Sequence, residues 1–182
     1  MRIISGIAKG RRLTPLPGLD VRPTTDKVKE GIFSAIQFDI EGRRFLDLFA
    51  GSGQMGLEAL SRGAQSAVFV DSSNDSIKVI KENISACRFD SLSKVVRSDA
   101  LSFLNLNSQK FDIAFLDPPY AADLLEKALI LVTESMSDYG IIICEHPGDV
   151  ILPDTVADFK VYKRYRYGKI NITTYKKENE NE

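Results

Sequence analysis

The sequence predicts an α/β domain with a mostly parallel sheet that finishes in an antiparallel hairpin. Three observations carry this reading. From residue 45 to about 144, short and continuously apolar runs alternate with segments of helical spacing. Strands that are apolar on both faces and separated by helices form a parallel sheet covered on both sides. A glycine-rich turn, Gly51-Ser52-Gly53-Gln54-Met55-Gly56, joins the first strand to a helix. Near the end, two strand-like runs are separated only by Arg166-Tyr167-Gly168-Lys169. That gap is too short for a crossover helix and suits a hairpin.

The elements follow in order. Residues 2–13 read as an extended or hairpin arm. Thr24 or Thr25 caps a helix through Val28, Ile32, Phe33 and Ile36, with Asp26 favourably placed in its first turn. Residues 44–49 are a buried strand leading into Gly51, and residues 54–62 a helix stopped by Gly63. Residues 67–71 make the second strand. A helix over 76–87 follows, with Ile77, Ile80 and Ile84 at helical spacing. Residues 94–97 are the third strand, 100–106 a short helix and 111–116 the fourth strand. A helix from about 121 to 136 leads to the fifth strand at 140–144. Residues 160–165 and 170–175 form the final hairpin. Three regions result: a basic arm over 1–23, the sheet domain over 24–177, and a disordered tail over 178–182.

Composition narrows the function classes. No apolar run approaches the ~20 residues needed to cross a bilayer, and the first ten residues lack the pattern of a secretory signal. Cys87 and Cys144 are far apart without CxxC spacing, so a disulfide framework is not expected and a reducing cytoplasm is. The single histidine, His146, leaves little for a zinc site or a Ser-His-Asp triad. The net charge of −1 hides a division: residues 1–30 are net +4, residues 31–158 net −9, and residues 159–182 net +4. Two basic ends flanking an acidic body are the footprint of a polyanionic partner. The candidates for its contact are Arg2, Lys9, Arg11, Arg12 and Arg22 in the arm, with Lys163, Arg164, Arg166 and Lys169 in the hairpin.

The glycine turn by itself fits a nicotinamide enzyme as well as other nucleotide binders. Asp47, four residues before Gly51, shifts the balance. A carboxylate inside the turn suits a cationic ligand better than a pyrophosphate. Asp71, 20 residues after Gly51, stands where a carboxylate can accept two hydrogen bonds from a ribose diol. Asp99 follows the third strand, where it could read an adenine amine. Each aspartate alone could be a helix cap; three at the carboxyl edge of adjacent strands point to a ligand site. Asp117-Pro118-Pro119-Tyr120 ends the fourth strand. Its prolines fix the turn and remove two N–H donors, leaving carbonyls and a carboxylate as acceptors for a planar amine. Tyr120 offers a face on which a flipped base can stack. Glu145 and His146 follow the fifth strand as weaker candidates.

Residues 46–53 and the Asp-Pro-Pro-Tyr motif resemble the amino-group-modifying class I methyltransferases that use S-adenosylmethionine. Arg2-Ile3-Ile4-Ser5-Gly6, Arg22-Pro23-Thr24, the stretch over 56–64 and Tyr167-Gly168-Lys169 narrow the resemblance to the RsmD family, over residues 2 to about 175. One departure is Asp71, where glutamate is commoner. The resemblance implies a Rossmann-like, seven-stranded sheet in the order 3-2-1-4-5-7-6. It implies that Asp47, Phe49, Gly51, Ser52, Gly53, Asp71, Ser72, Asp99 and Ala100 bind S-adenosylmethionine, with Asp117 to Tyr120 holding the target. The substrate implied is the N2 amine of a guanine in 16S ribosomal RNA, in the small subunit or its assembly intermediate, with the protein acting as a monomer. An N6-adenine methyltransferase shares Asp-Pro-Pro-Tyr. A non-catalytic nucleotide-binding module and a nicotinamide dehydrogenase share only the glycine turn.

Overall fold

Four short strands, Arg44–Asp47 (β1), Ser66–Asp71 (β2), Ser93–Arg97 (β3) and Phe111–Leu116 (β4), lie parallel beside the longer Met136–Pro147 (β5) in the computed structural model. The structure describes residues 1–17, 25–119 and 122–177. Every residue of β4 is buried, as expected of a central strand with helices on both faces. Phe159–Tyr167 (β7) and Ile170–Lys177 (β8) form the hairpin, and β8 pairs antiparallel with β5. With Thr155–Val156 (β6), the sheet order is β3-β2-β1-β4-β5-β8-β7-β6. The order that the resemblance implies is present, with one strand more. β6 escapes a sequence reading because Ala157, not glycine, adopts the positive φ of +51° that turns it directly into β7.

Among the described residues five α-helices cover the sheet: Asp26–Ala35 (α1), Gln54–Ser61 (α2), Asn74–Cys87 (α3), Ala100–Leu106 (α4) and Ala122–Val132 (α5). Thr25 caps α1 and Ser73 caps α3, each hydroxyl accepting an N–H of the first turn. Gly63, at φ +101°, ends the turn after α2. The expected helix over 121–136 is shorter. It stops at Val132 and passes through a 3₁₀ turn, and Met136 already pairs with Phe111 in the sheet. The Thr133 hydroxyl donates to the Ile130 carbonyl, competing with continuation of the helix.

The sheet separates two cores. On one side α1, α2 and α3 pack with the arm, and on the other α4 and α5 pack with Leu152 and Val156. Phe33 stacks on Phe45, and the Arg62 guanidinium lies over the Phe33 ring, 4.9 Å from its centroid. Full burial of such a phenylalanine stabilises by roughly 1.5–3 kcal/mol. Cys87 and Cys144 are buried, unpaired thiols. No helix among the described residues is long and apolar enough to cross a membrane.

The arm is a hairpin, closed by an antiparallel bridge between Arg2 and Arg12, and it packs on the domain. Ile3 and Leu13 are buried. Glu58, wholly buried in α2, accepts the N–H groups of Ile4 and Ser5 at 2.8 and 3.0 Å. Lys29 of α1 lies 3.7 Å from the same carboxylate and donates to the Arg2 carbonyl. Gly6 is pressed against α2 so closely that a Cβ would fall 1.7 Å from the Ser61 carbonyl oxygen, at a φ of +83°. Only glycine fits there.

Candidate active site

The strand order reverses between β1 and β4, so their carboxyl ends diverge and open a crevice. A cavity of about 1350 Å³ occupies it. Its walls include Asp47, Phe49, Gly51, Ser52, Asp71, Ser72, Asp99, Ala100, Asp117, Pro118 and Pro119. Gly53 is not among the lining residues; it starts α2 in the left-handed conformation, at φ +79°. Tyr120, Arg22 and the expected tail over 178–182 lie outside the described residues.

The glycine turn is built by hydrogen bonds that converge on it. Asp47 is buried at the end of β1, and its carboxylate accepts the Gly56 N–H at 2.9 Å, orienting the first turn of α2. Asp71 accepts from Gly51 N–H through one oxygen and from Ser73 N–H through the other. A carboxylate oxygen retains a lone pair after one such bond, so Asp71 can still accept from a ligand. Gly56 lets α2 approach β2, since a Cβ would meet the Phe69 ring at 2.3 Å. Asp99 caps α4 by accepting the Ser102 N–H at 3.0 Å while its side of the turn lines the cavity. Capping α4 therefore does not take Asp99 out of the cavity wall.

The cavity floor is acidic. Burial, more than the neighbouring Asp71, pushes the Asp47 carboxyl up to about 7, against the stabilising Gly56 N–H. Asp117 is also raised well above the ordinary carboxylate range, first by burial, then by Glu145 and Asp47. Carboxylates so placed favour a ligand that brings positive charge. His146 has another role. Its Nδ1 faces the Pro147 carbonyl at 3.0 Å, which can only accept, so Nδ1 carries the proton. Nε2 then accepts from the Thr173 hydroxyl at 2.9 Å, tying β5 to β8. Burial lowers its pKa, which keeps the ring neutral.

The basic candidates divide. Arg166 and Lys169 line the cavity. Lys163 and Arg164 are neighbours on β7 and point to opposite faces. Lys163 rests near the Tyr162 ring, and Arg164 pairs with Asp154 at 2.8 Å. Arg2 pairs with Asp26, while Lys9, Arg11 and Arg12 are exposed outside the cavity wall. The arm's tip is held at the carboxyl end of α2, where Ile7 N–H donates to the Ser61 carbonyl. That helix end lies about 12 Å from the glycine turn along the axis of α2.

Two features escaped the motif reading. Asn83 is buried in α3 and clamps Thr14 through both its N–H and carbonyl, while also donating to the Ser52 carbonyl. It joins the arm to the glycine turn. A polar residue beside Ile80 and Ile84 in an apolar stripe is the signal that marks it. Met1, Pro15 and Leu16 of the arm region also line the cavity, which spacing along the chain could not show.

The family model described as "Conserved hypothetical protein 95" matches residues 1–176. YlbH of Bacillus subtilis is 42% identical over 182 residues, covering 97% of this chain and 99% of that protein. "Ribosomal RNA small subunit methyltransferase D" of Escherichia coli is 32% identical over 184 residues, covering 100% and 92%. Among solved structures, that of yhhF from Escherichia coli matches with a TM-score of 0.89 at 32% identity, over 98% of each chain. A hypothetical protein from Thermus thermophilus matches with a TM-score of 0.80 at 30% identity, over 96% and 98%. Matches that run through arm, glycine turn and hairpin alike place this chain in the RsmD family, class I methyltransferases whose methyl donor is S-adenosylmethionine.

Proposed function

We propose that the protein methylates the exocyclic N2 amine of a guanine in 16S ribosomal RNA, as a cytoplasmic monomer acting on the small subunit or its assembly intermediate. The observation that carries this reading is the Asp117-Pro118-Pro119 turn set into the wall of an acidic cavity. When bound, S-adenosylmethionine supplies an electrophilic methyl group. Asp71 accepts from the ribose, Asp99 from the adenine amine, and Asp47 with the glycine turn holds the methionine end. Asp117 and the proline carbonyls grip the hydrogens of the target amine, weakening conjugation of its lone pair with the ring and aiming nitrogen at the methyl group. The proton lost after transfer passes to water. The name of the Escherichia coli relative and the basic ends of this chain support ribosomal RNA as the substrate.

The test is to incubate the protein with small subunits from a strain deleted for the gene and with labelled S-adenosylmethionine, then digest the RNA. Labelled N2-methylguanosine is the expected product. Labelled N6-methyladenosine would overturn the reading in favour of adenine.

Two further outcomes are expected. Asp47 titrates near 7 without ligand, and a cation beside it favours its ionised form. Affinity for S-adenosylmethionine should therefore rise as pH increases from about 6 to 8, with protons released on binding. The same raised carboxyl makes the free protein less stable as pH climbs from the unfolded value of ~3.9 towards 7, because the folded state holds the extra proton there. Calorimetry in buffers of different ionisation enthalpy would show the release, and a pH-independent affinity would exclude the role of Asp47. Secondly, changing Arg11 and Arg12 together to alanine should flatten the slope of log RNA affinity against log salt by roughly 1.5, at ~0.7–0.9 per phosphate contact. An unchanged slope would mean that these side chains touch no phosphate.

A further inference from the structure

Glu145 stands beside Asp117 for a structural reason. Leu116 of β4 and Cys144 of β5 are register partners in the parallel sheet, so the next residues, Asp117 and Glu145, emerge together at the carboxyl edge. Residues in register on parallel strands project from the same face, with backbones about 4.8 Å apart. Both line the cavity, and Glu145 is 7% exposed. The acceptors of the Asp117-Pro118 turn therefore continue sideways into a second carboxylate.

We infer that Glu145 reads the N1–H of the target base and makes the protein select guanine over the other amino bases. This rests on the guanine reading above and supplies its specificity. In guanine the N2 amine lies between N3, an acceptor, and N1–H, a donor, so its N1 side offers two parallel N–H bonds. In adenine the amine is flanked by N1 and N7, both acceptors, and in cytosine by the acceptor N3. Adjacent acceptors on Asp117 and Glu145 match the first arrangement. They set a carboxylate against a ring-nitrogen lone pair in the others. A site built to accept from N1–H disfavours an analogue that sets a lone pair against the same carboxylate.

The discriminating substrate is 2-aminopurine, which keeps the C2 amine but presents N1 as an acceptor. It would be placed by ligation at the mapped methylation position in 16S ribosomal RNA. The unmodified protein should prefer guanine over 2-aminopurine by roughly 10- to 150-fold, the loss of one charge-assisted hydrogen bond. Glu145→Gln, whose amide can turn its NH₂ towards N1, should narrow that ratio to a few-fold. Glu145→Asp, which keeps the carboxylate, should retain the preference and guards against a folding defect in the amide variant. Equal S-adenosylmethionine affinity in all three proteins is expected. If the unmodified protein forms no N2-methylguanosine, the guanine reading and this inference fall together. If it does, and Glu145→Gln leaves the ratio unchanged, the role of Glu145 alone is overturned.

Discussion

Asp117→Ala is expected to lower methyl transfer by about 10²–10³, the usual consequence of deleting one preorganised polar contact to a reacting group. S-adenosylmethionine affinity should stay within a few-fold, because the ribose, adenine and methionine contacts assigned to Asp71, Asp99 and Asp47 remain. The variant should fold, since it removes a buried carboxyl that burial, Glu145 and Asp47 all disfavour in its ionised form. Asp117→Asn keeps one acceptor oxygen and should retain more activity than alanine. Single-turnover transfer, with cofactor saturation checked by calorimetry, separates chemistry from binding. Near-normal turnover in the alanine variant would mean that the target amine is held by other groups.

The second large effect concerns stability. Glu58 and Lys29 form a pair whose side chains are both wholly inaccessible, and Glu58 also accepts from Arg62 at 2.8 Å and from two N–H groups of the arm. Burial pulls the Lys29 pKa down, and the Glu58 carboxylate is the main influence opposing it. Removing one member of such a pair strands the other, at a cost of about 3–5 kcal/mol. For a chain of this size, Glu58→Ala should lower Tm by about 10 °C. Replacing both residues with apolar ones, Glu58→Leu with Lys29→Met, should recover part of the loss, because no charge is then left buried. Scanning calorimetry checks both. An unchanged Tm in Glu58→Ala would show that the arm is held by its apolar contacts, Ile3 and Leu13, alone.

The periodicity of apolar residues and the turn chemistry determined the parallel sheet and its final hairpin, while its strand order came from the family resemblance. These signals are local: a continuous run such as residues 111–116 must be buried on both faces, and four residues between strands permit only a hairpin. Motif spacing likewise placed Asp47, Asp71, Asp99 and Asp117 on one sheet edge, since each follows a strand and parallel strands share an edge. Misreadings arose where local pattern was ambiguous. Met136 continues the helical spacing of Leu129 and Val132, yet sheet pairing claimed it.

Tertiary structure alone decided which distant residues meet. Glu58 looks like a surface residue of a helix until the arm covers it. Glu145 gains meaning only from the β4–β5 register that brings it beside Asp117. Asn83 joins Thr14 to Ser52 across three segments. The basic residues, equivalent by composition, separate into Arg166 and Lys169 at the cavity, Arg164 tied to Asp154, and an arm tip at the far end of α2. Charge counts are blind to direction. A side chain's partner depends on the face its strand presents and on the segment folded against it, and both are properties of the packed chain.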